Sequence, residues 1–178
     1  MKKVFFTFLL FSTLIANGQI FTQNPSNGSI IITPKGVKGN ADLNFRPDTT
    51  NTSLGANTLF FNTTGSFNTA IGYSSLWFNT TGQSNTAIGA ETLKKNISSS
   101  NNTAIGAYTL RENTTGSDNT AIGWAALNAN TTWRNTAIGS RALATNTTGG
   151  NNTAVGYNSL YLNKEGESNT ATGSYALY

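Results

Sequence analysis

The chain has no cysteine and no histidine, and only three prolines and one methionine among its 178 residues. Without cysteine there can be no disulfide bond, thiolate metal site or thiol nucleophile. Without histidine the commonest general base and metal ligand are also missing. These absences argue against an enzyme. The sequence predicts no catalytic residue, no cofactor and no metal site.

Charge is also scarce, because only 10% of the residues are charged. None of the seven carboxylates recurs in phase, as a glycosidase pair or a calcium ladder would require. The formal net charge of +4 falls to about +2 when Lys2 and Lys3 are subtracted. A charge this small, with no basic run, predicts no nucleic-acid partner.

Residues 1–18 are typical of a bacterial secretory signal peptide. Lys2 and Lys3 precede an apolar run that is too short to span a bilayer, and Ala16 and Gly18 are small residues placed for cleavage. An uncleaved anchor or a buried strand is the alternative. We expect a secreted or cell-surface protein with no membrane span in the mature chain.

A tandem repeat occupies residues 51–178. Its unit is Asn-Thr-Ala-Ile-Gly-x-x-x-Leu-x-x-Asn-Thr-Thr-Gly-x-x, with steps of 17 residues and one step of 16. The invariant glycines of its fifth column are Gly55, Gly72, Gly89, Gly106, Gly123, Gly139, Gly156 and Gly173. Glycine at every copy indicates either a positive φ or a neighbouring chain too close for a Cβ. A constant step indicates one structural unit copied end to end.

Two aliphatic columns are the candidate core. The ninth column holds Leu59, Leu76, Leu93, Leu110, Leu127, Leu143, Leu160 and Leu177. The fourth column holds chiefly Ile71, Ile88, Ile105, Ile122 and Ile138, which suit a strand with one buried side. The third column is alanine or serine, which indicates a position with little room.

Two further columns of the unit allow predictions. The looser glycine column, which includes Gly82, is missing before Trp133, and this tolerance indicates an exposed turn. The twelfth column is asparagine, as at Asn79. Two readings stay open for it: a ladder of amides between stacked coils, or a turn residue in the left-handed conformation.

The predicted fold is all-β: a parallel β-roll or solenoid of about eight coils, 17 residues each. A unit this short has room for two strands of four or five residues and two turns, but not for a helix pair. Copies stacked at about 4.8 Å give a rod about 34 Å long. A hairpin or propeller blade is the rival. Because so thin a core buries little surface, we expect three rods to pack through their Ala and Ile stripes.

From Asn68 to Gly72 and at the equivalent positions of the other copies, the chain resembles the head repeats of YadA-like trimeric autotransporter adhesins and related tail-fibre repeats. The resemblance covers residues 51–178, although the family's usual head unit is somewhat shorter. It implies a left-handed parallel β-roll, a homotrimer, and adhesion to a host-matrix protein or surface glycan outside the cell. It also implies that the five isoleucines lie in the packed interior and the invariant glycines at tight turns. No stalk or membrane-barrel segment is recognised after the repeat, so the resemblance does not say how the protein is anchored.

Residues 19–50 do not fit the repeat. The segment Ser29 to Thr33 is rich in isoleucine and precedes Pro34, which predicts one buried strand. We interpret residues 19–50 as a lead-in or cap for the first coil, because an array must cover its exposed end.

Variable columns are where partner contacts are expected. The candidates for seam or partner contacts are Trp77, Phe78, Tyr73, Trp124, Trp133 and Tyr157. A seam between chains is favoured for them. The leading function is an adhesin-like binding surface, and the alternative is a structural spacer. Ice binding is a remote third, because it needs a flat outward Thr-x-Thr rank, whereas here threonines are adjacent in pairs or are followed by Ala and Ile.

Overall fold

The structure is a computed structural model that describes residues 31–33, 36–38 and 50–178. The predicted signal peptide and much of the predicted lead-in lie outside these residues. The described residues form strands and turns and contain no helix. The strands are β1 (Ile31–Thr33), β2 (Gly36–Lys38), β3 (Thr52–Leu54), β4 (Thr69–Ile71), β5 (Thr86–Ile88), β6 (Thr103–Ile105), β7 (Thr120–Ile122), β8 (Thr136–Ile138), β9 (Thr153–Val155) and β10 (Thr170–Thr172).

Strands β3 to β10 form one parallel sheet in which each strand pairs with the next copy of itself. The register is uniform: Ala87 of β5 pairs with Ala104 of β6, and Ile88 pairs with Ile105. The same column-to-column pairing crosses the 16-residue step, where Ala121 pairs with Ala137. The predicted all-β parallel solenoid is confirmed.

Each coil contains one strand of three residues, not the two longer strands that we predicted. The chain leaves the strand at the invariant glycine, and the rest of the coil consists of turns and bends. These turns are nevertheless paired between coils. The amide of Leu93 donates to the carbonyl of Thr109, and that of Lys95 to the carbonyl of Arg111, both at 3.0 Å. Backbone hydrogen bonds therefore join neighbouring coils outside the sheet as well, which short turns need to be stable.

The core of the rod is a row of alanines beside a row of leucines. The alanines of the third column and the leucines of the ninth are buried from Leu59 to Leu160, and most have no exposed surface. Leu177, in the last coil, is exposed. Burial of a leucine stabilises the fold by about 1.5–3 kcal/mol, and repetition along the rod makes this the main apolar contribution.

Every leucine of the ninth column has a positive φ, between 48° and 50°. This conformation costs a residue other than glycine about 1–2 kcal/mol. Since Leu110 and its equivalents are buried in the core, the apolar burial of the side chain offsets that cost. Leucine is therefore favoured in this column because its side chain is buried, although its backbone conformation is unfavourable.

The isoleucines of the fourth column do not lie in the interior of the single coil, and their place in the packed interior of a trimer stays a prediction. Ile105, Ile122 and Ile138 are 36–40% exposed, whereas the alanine before each of them is fully buried. Successive residues of a strand point to opposite faces. With alanine facing inward, isoleucine must face outward.

The N-terminal side of the sheet is extended by residues from the predicted lead-in. Strands β1 and β2 are antiparallel partners, and β2 pairs in parallel with β3 through Lys38 and Ser53. Strand β2 thus lies at the edge of the first coil, and the interpretation of residues 19–50 as a cap stays a prediction.

Candidate binding face

The invariant glycines have both of the properties that the sequence offered as alternatives. At Gly123 the backbone has a φ of +129°, which residues with side chains rarely adopt. A Cβ placed there would lie 2.6 Å from the carbonyl carbon and oxygen of Gly139 in the next coil. From Gly55 to Gly156 these glycines thus form a backbone-to-backbone contact along the rod that leaves no room for a methyl group.

The looser glycine column is buried from Gly65 to Gly149, so its interpretation as an exposed turn is wrong there, and only Gly166 in the last coil is exposed. A Cβ at Gly82 would lie 2.7 Å from Nδ2 of Asn96. In the coil of 16 residues, which contains Trp133, the glycine position is also present, and Thr132 occupies it. The carbonyl of Thr132 accepts from Nδ2 of Asn119 and Nδ2 of Asn130, both at 2.8 Å. The residue lost from this coil is one of the exposed threonines.

The asparagines of the twelfth column form the predicted amide ladder. Nδ2 of Asn79 donates to Oδ1 of Asn62 at 2.7 Å, and Nδ2 of Asn96 donates to Oδ1 of Asn79 at 2.6 Å. The distance lengthens to 3.5 Å from Asn113 to Asn96, and no amide–amide bond joins Asn130 to Asn113. The ladder resumes from Asn146 to Asn130 at 2.9 Å and from Asn163 to Asn146 at 3.0 Å. None of these asparagines has a positive φ. The ladder reading is confirmed over the left-handed turn reading.

A second ladder, which we did not predict, runs through the asparagines of the first column. Oδ1 of Asn85 accepts from the backbone amide of Asn102 at 3.0 Å, and Oδ1 of Asn102 accepts from that of Asn119 at 3.0 Å. The same bond joins each pair of neighbouring coils from Asn51 to Asn169. The presence of Asn-Thr in all eight copies was the available signal.

The two ladders meet at one carbonyl in each coil. Nδ2 of Asn68 and Nδ2 of Asn79 both donate to the carbonyl of Gly82, at 2.8 and 3.1 Å. These amides are buried, and buried polar groups of this kind are stabilising only when they are hydrogen-bonded. The Asn-Thr-Thr segments match glycosylation sequons, but at Asn79 the amide is fully buried and already bonded.

The outer side of the parallel sheet carries two regular columns of side chains, which we call the Thr–Ile face. The threonines of its second column are Thr52, Thr69, Thr86, Thr103, Thr120, Thr136, Thr153 and Thr170. The fourth column beside it holds Leu54, Ile71, Ile88, Ile105, Ile122, Ile138, Val155 and Thr172. Neither column contains a charged residue, and both follow the sheet from β3 to β10.

No hydrogen bond joins the threonine hydroxyls of the Thr–Ile face to another residue in the described part of the chain. Other threonines behave differently: Oγ1 of Thr92 donates to the carbonyl of Gly106 at 2.7 Å, and Oγ1 of Thr80 donates to that of Ile97 at 2.9 Å. The Thr–Ile face is therefore a regular row of solvent-facing hydroxyls beside a row of part-exposed methyl groups.

The six aromatic candidates lie on different sides of the coil and do not form one site. Tyr73, Trp124 and Tyr157 occupy the sixth column, Trp77 and Phe78 the tenth and eleventh, and Trp133 the sixteenth. All are exposed except Trp77, which is half-buried.

Most of these rings are engaged with neighbours in the same chain. Phe78 stacks on Phe61 in the preceding coil, with ring centroids 5.3 Å apart, and on Trp77 at 5.5 Å. Nζ of Lys94 lies 5.0 Å from the centre of the Trp77 ring, and the guanidinium of Arg141 lies 4.7 Å from that of Trp124. The rings thus stack along the rod instead of forming an open platform.

A group of ion pairs follows the aromatic stack in the next two coils. Glu91 lies 3.2 Å from Nζ of Lys94 and accepts from Nε of Arg111 at 2.8 Å, while Glu112 pairs with Lys95. The hydrogen bond from Arg111 is the main cause that holds the pKa of Glu91 below its usual value, although partial burial opposes it. The pairs link the third and fourth coils.

The lowered pKa of Glu91 predicts that acid weakens the rod. A carboxyl whose pKa is lower in the folded state stabilises the fold above its ordinary pKa, and this stabilisation is lost as the pH falls through the folded-state value. Urea unfolding of the chain and of a Glu91→Gln variant, at neutral and at mildly acidic pH, measures the effect. The variant should lose less stability on acidification. An equal loss in both proteins would contradict the prediction.

Comparison with family models, curated proteins and solved structures finds no match for this chain. Within residues 50–178 and the two short strands before them, no group of three or more acidic, cysteine or histidine side chains is placed to hold a metal ion. The same residues include no helix with the length and apolar character needed to cross a membrane.

Proposed function

We propose that this protein is a secreted or cell-surface, adhesin-like rod that acts through a non-catalytic binding and display surface. The observation that carries the proposal is the Thr–Ile face, which is ordered, uncharged and solvent-facing along eight strands. Parallel sheets normally have both faces covered. Here the inner face is filled by the alanines and leucines of the same coil, and the outer face is left for another surface.

The proposed assembly is a homotrimer that meets through exposed aromatic side chains. The alanine stripe is enclosed within each rod and has no surface to offer a second copy. Phe60, Phe61 and Phe78 are each more than 40% exposed on adjoining coils. An apolar cluster of this kind on a narrow rod favours self-association. Light scattering should give the mass of three chains, and a monomeric mass would refute the assembly.

Binding by the Thr–Ile face is tested with two matched isoleucine variants. Ile122→Lys places a charge on the face, whereas Ile97→Lys places the same charge at an exposed site outside the sheet, where Ile97 is 48% exposed. Both are exposed, so both variants should fold. Arrays of matrix proteins, glycans and solid surfaces should retain the parent and Ile97→Lys proteins and release Ile122→Lys. A parent protein that binds nothing would contradict the proposal.

A structural spacer is the second candidate function, and the two asparagine ladders favour it. Side-chain hydrogen bonds join every pair of neighbouring coils along the rod. A ladder of this kind resists bending and separation of the coils. A spacer is stiff but binds nothing, so the binding array separates the two functions.

A further inference from the structure

We propose that the ligand of the Thr–Ile face is a surface of crystalline water, so that the rod binds ice. This inference rests on the proposed binding role of that face and names its ligand. It is carried by the repeated arrangement of free hydroxyls and methyl groups on β3 to β10 and by the absence of charge among them.

The sequence objection to ice binding does not hold for the strand threonines. The alanine between Thr103 and Ile105 points into the core, so Thr103 and Ile105 point outward together. The same pattern recurs in β4 to β8. Adjacent threonines of the unit, such as Thr80 and Thr81, lie in the turn and do not belong to the sheet. The residues that interrupt the spacing in the sequence are therefore absent from the face.

The geometry of the sheet converts the two columns into a lattice. Parallel strands are separated by about 4.8 Å, and residues two apart along a strand by about 6.6 Å. The register is the same at each pair from β3 to β10. Sheets that carry side-chain ladders can stay unusually flat, and the asparagines provide such ladders. The face therefore repeats regularly along the rod, with the threonine column and the isoleucine column side by side.

Each element of this lattice holds water in a defined way. A hydroxyl without a protein partner can accept a hydrogen bond from first-shell water and donate one to it. The methyl groups of the neighbouring isoleucines restrict the orientation of the water around them. Threonine and isoleucine are also stiff at χ1, so these groups are held in place before a ligand arrives.

Other ligand classes fit this face less well. An ionic surface or a charged polymer would leave its charge without a partner, because the second and fourth columns contain none. A compact protein ligand would contact only a few coils. Binding to it would not require the same threonine and isoleucine in every strand from β4 to β8. A partner that is itself periodic and uncharged and has hydrogen-bonding groups in every repeat uses the whole face, and ice has these properties.

The experiment measures thermal hysteresis and inhibition of ice recrystallisation by the full chain. Two matched variants accompany it: Thr103→Tyr, in the middle of the Thr–Ile face, and Thr148→Tyr, at an exposed turn outside the sheet. We expect ice activity in the parent and in Thr148→Tyr, and loss of most of it in Thr103→Tyr. Circular dichroism establishes that both variants are folded, and uptake of the unmodified chain into slowly growing ice gives a test that needs no variant.

Absence of thermal hysteresis, recrystallisation inhibition and uptake into ice in the parent protein would overturn the inference. Equal loss in both variants would overturn it too, since the activity would not depend on the face. An inactive rod whose self-association is blocked by Thr103→Tyr would assign the face to a second copy of the chain. The proposed binding function fails separately, when the parent rod binds no surface in the array described above.

Discussion

Replacement of Gly123 by alanine is expected to destabilise the rod by about 3 kcal/mol, because backbone strain and overpacking each cost about 1–3 kcal/mol. The φ of +129° is unfavourable for alanine, and the new Cβ would lie 2.6 Å from backbone atoms of Gly139. The contact involves main chain on both sides, so no side-chain rotation relieves it. Thermal unfolding followed by circular dichroism measures the loss.

Gly173→Ala separates the two causes. Gly173 has a similar φ of +125°, but its nearest neighbour to a new Cβ is the Cβ of Ala176 at 3.9 Å. This variant should show only the cost of the backbone conformation, about 1–2 kcal/mol. Equal destabilisation by the two variants would show that close approach of the coils contributes nothing.

Replacement of Asn102 by alanine is the second change with a large expected effect. Oδ1 of Asn102 accepts from the backbone amide of Asn119 at 3.0 Å and from its Nδ2 at 3.1 Å, and Nδ2 of Asn102 donates to Gly116 at 2.9 Å. The residue is fully buried. Each buried group left without a partner costs about 1–3 kcal/mol, so a total of about 3 kcal/mol is expected.

The matched control is Asn128→Ala. Asn128 makes one exposed hydrogen bond, from Nδ2 to the carbonyl of Tyr108 at 2.8 Å. Loss of such a bond costs about 0.5–1.5 kcal/mol. Because each coil contacts only its neighbours, the Asn102 variant should also unfold in two steps. Hydrogen exchange should show that the amide of Asn119 loses protection first. A single transition with unchanged protection would contradict the prediction.

The architecture was readable from the sequence because the coil repeats without change. The glycine grid gave the stacking unit, the leucines gave the core, and the asparagines of the twelfth column gave a ladder. In each case a residue contacts the equivalent residue of the next coil. Such contacts can be predicted from the repeat length alone.

The direction of individual side chains was harder to predict. The resemblance implied a packed interior for Ile105, but within the single coil Ala104 occupies the inner face, and strand alternation therefore turns Ile105 outward. Gly82 was expected at the surface because its column varies, yet burial there is imposed by the amides of neighbouring coils. The first-column ladder was missed because the recurrence of Asn-Thr in all eight copies does not indicate that the asparagine bonds to the backbone of the next coil.

The Thr–Ile face was also partly predictable. The alternation Thr-Ala-Ile indicates one inward and two outward residues once alanine is assigned to the core. What the sequence did not specify was the length of the strand. Three residues suffice because the glycine turns the chain immediately after isoleucine, and this limits the face to two columns.

The uniform register has a consequence for how such genes change. Since every coil presents the same surface above and below, excision or duplication of one whole unit, such as residues 86–102, joins equivalent ends and leaves the fold intact. The length of the rod can therefore change by one unit at a time through unequal recombination. Natural variants are expected to differ in the number of units more readily than in the spacing within one.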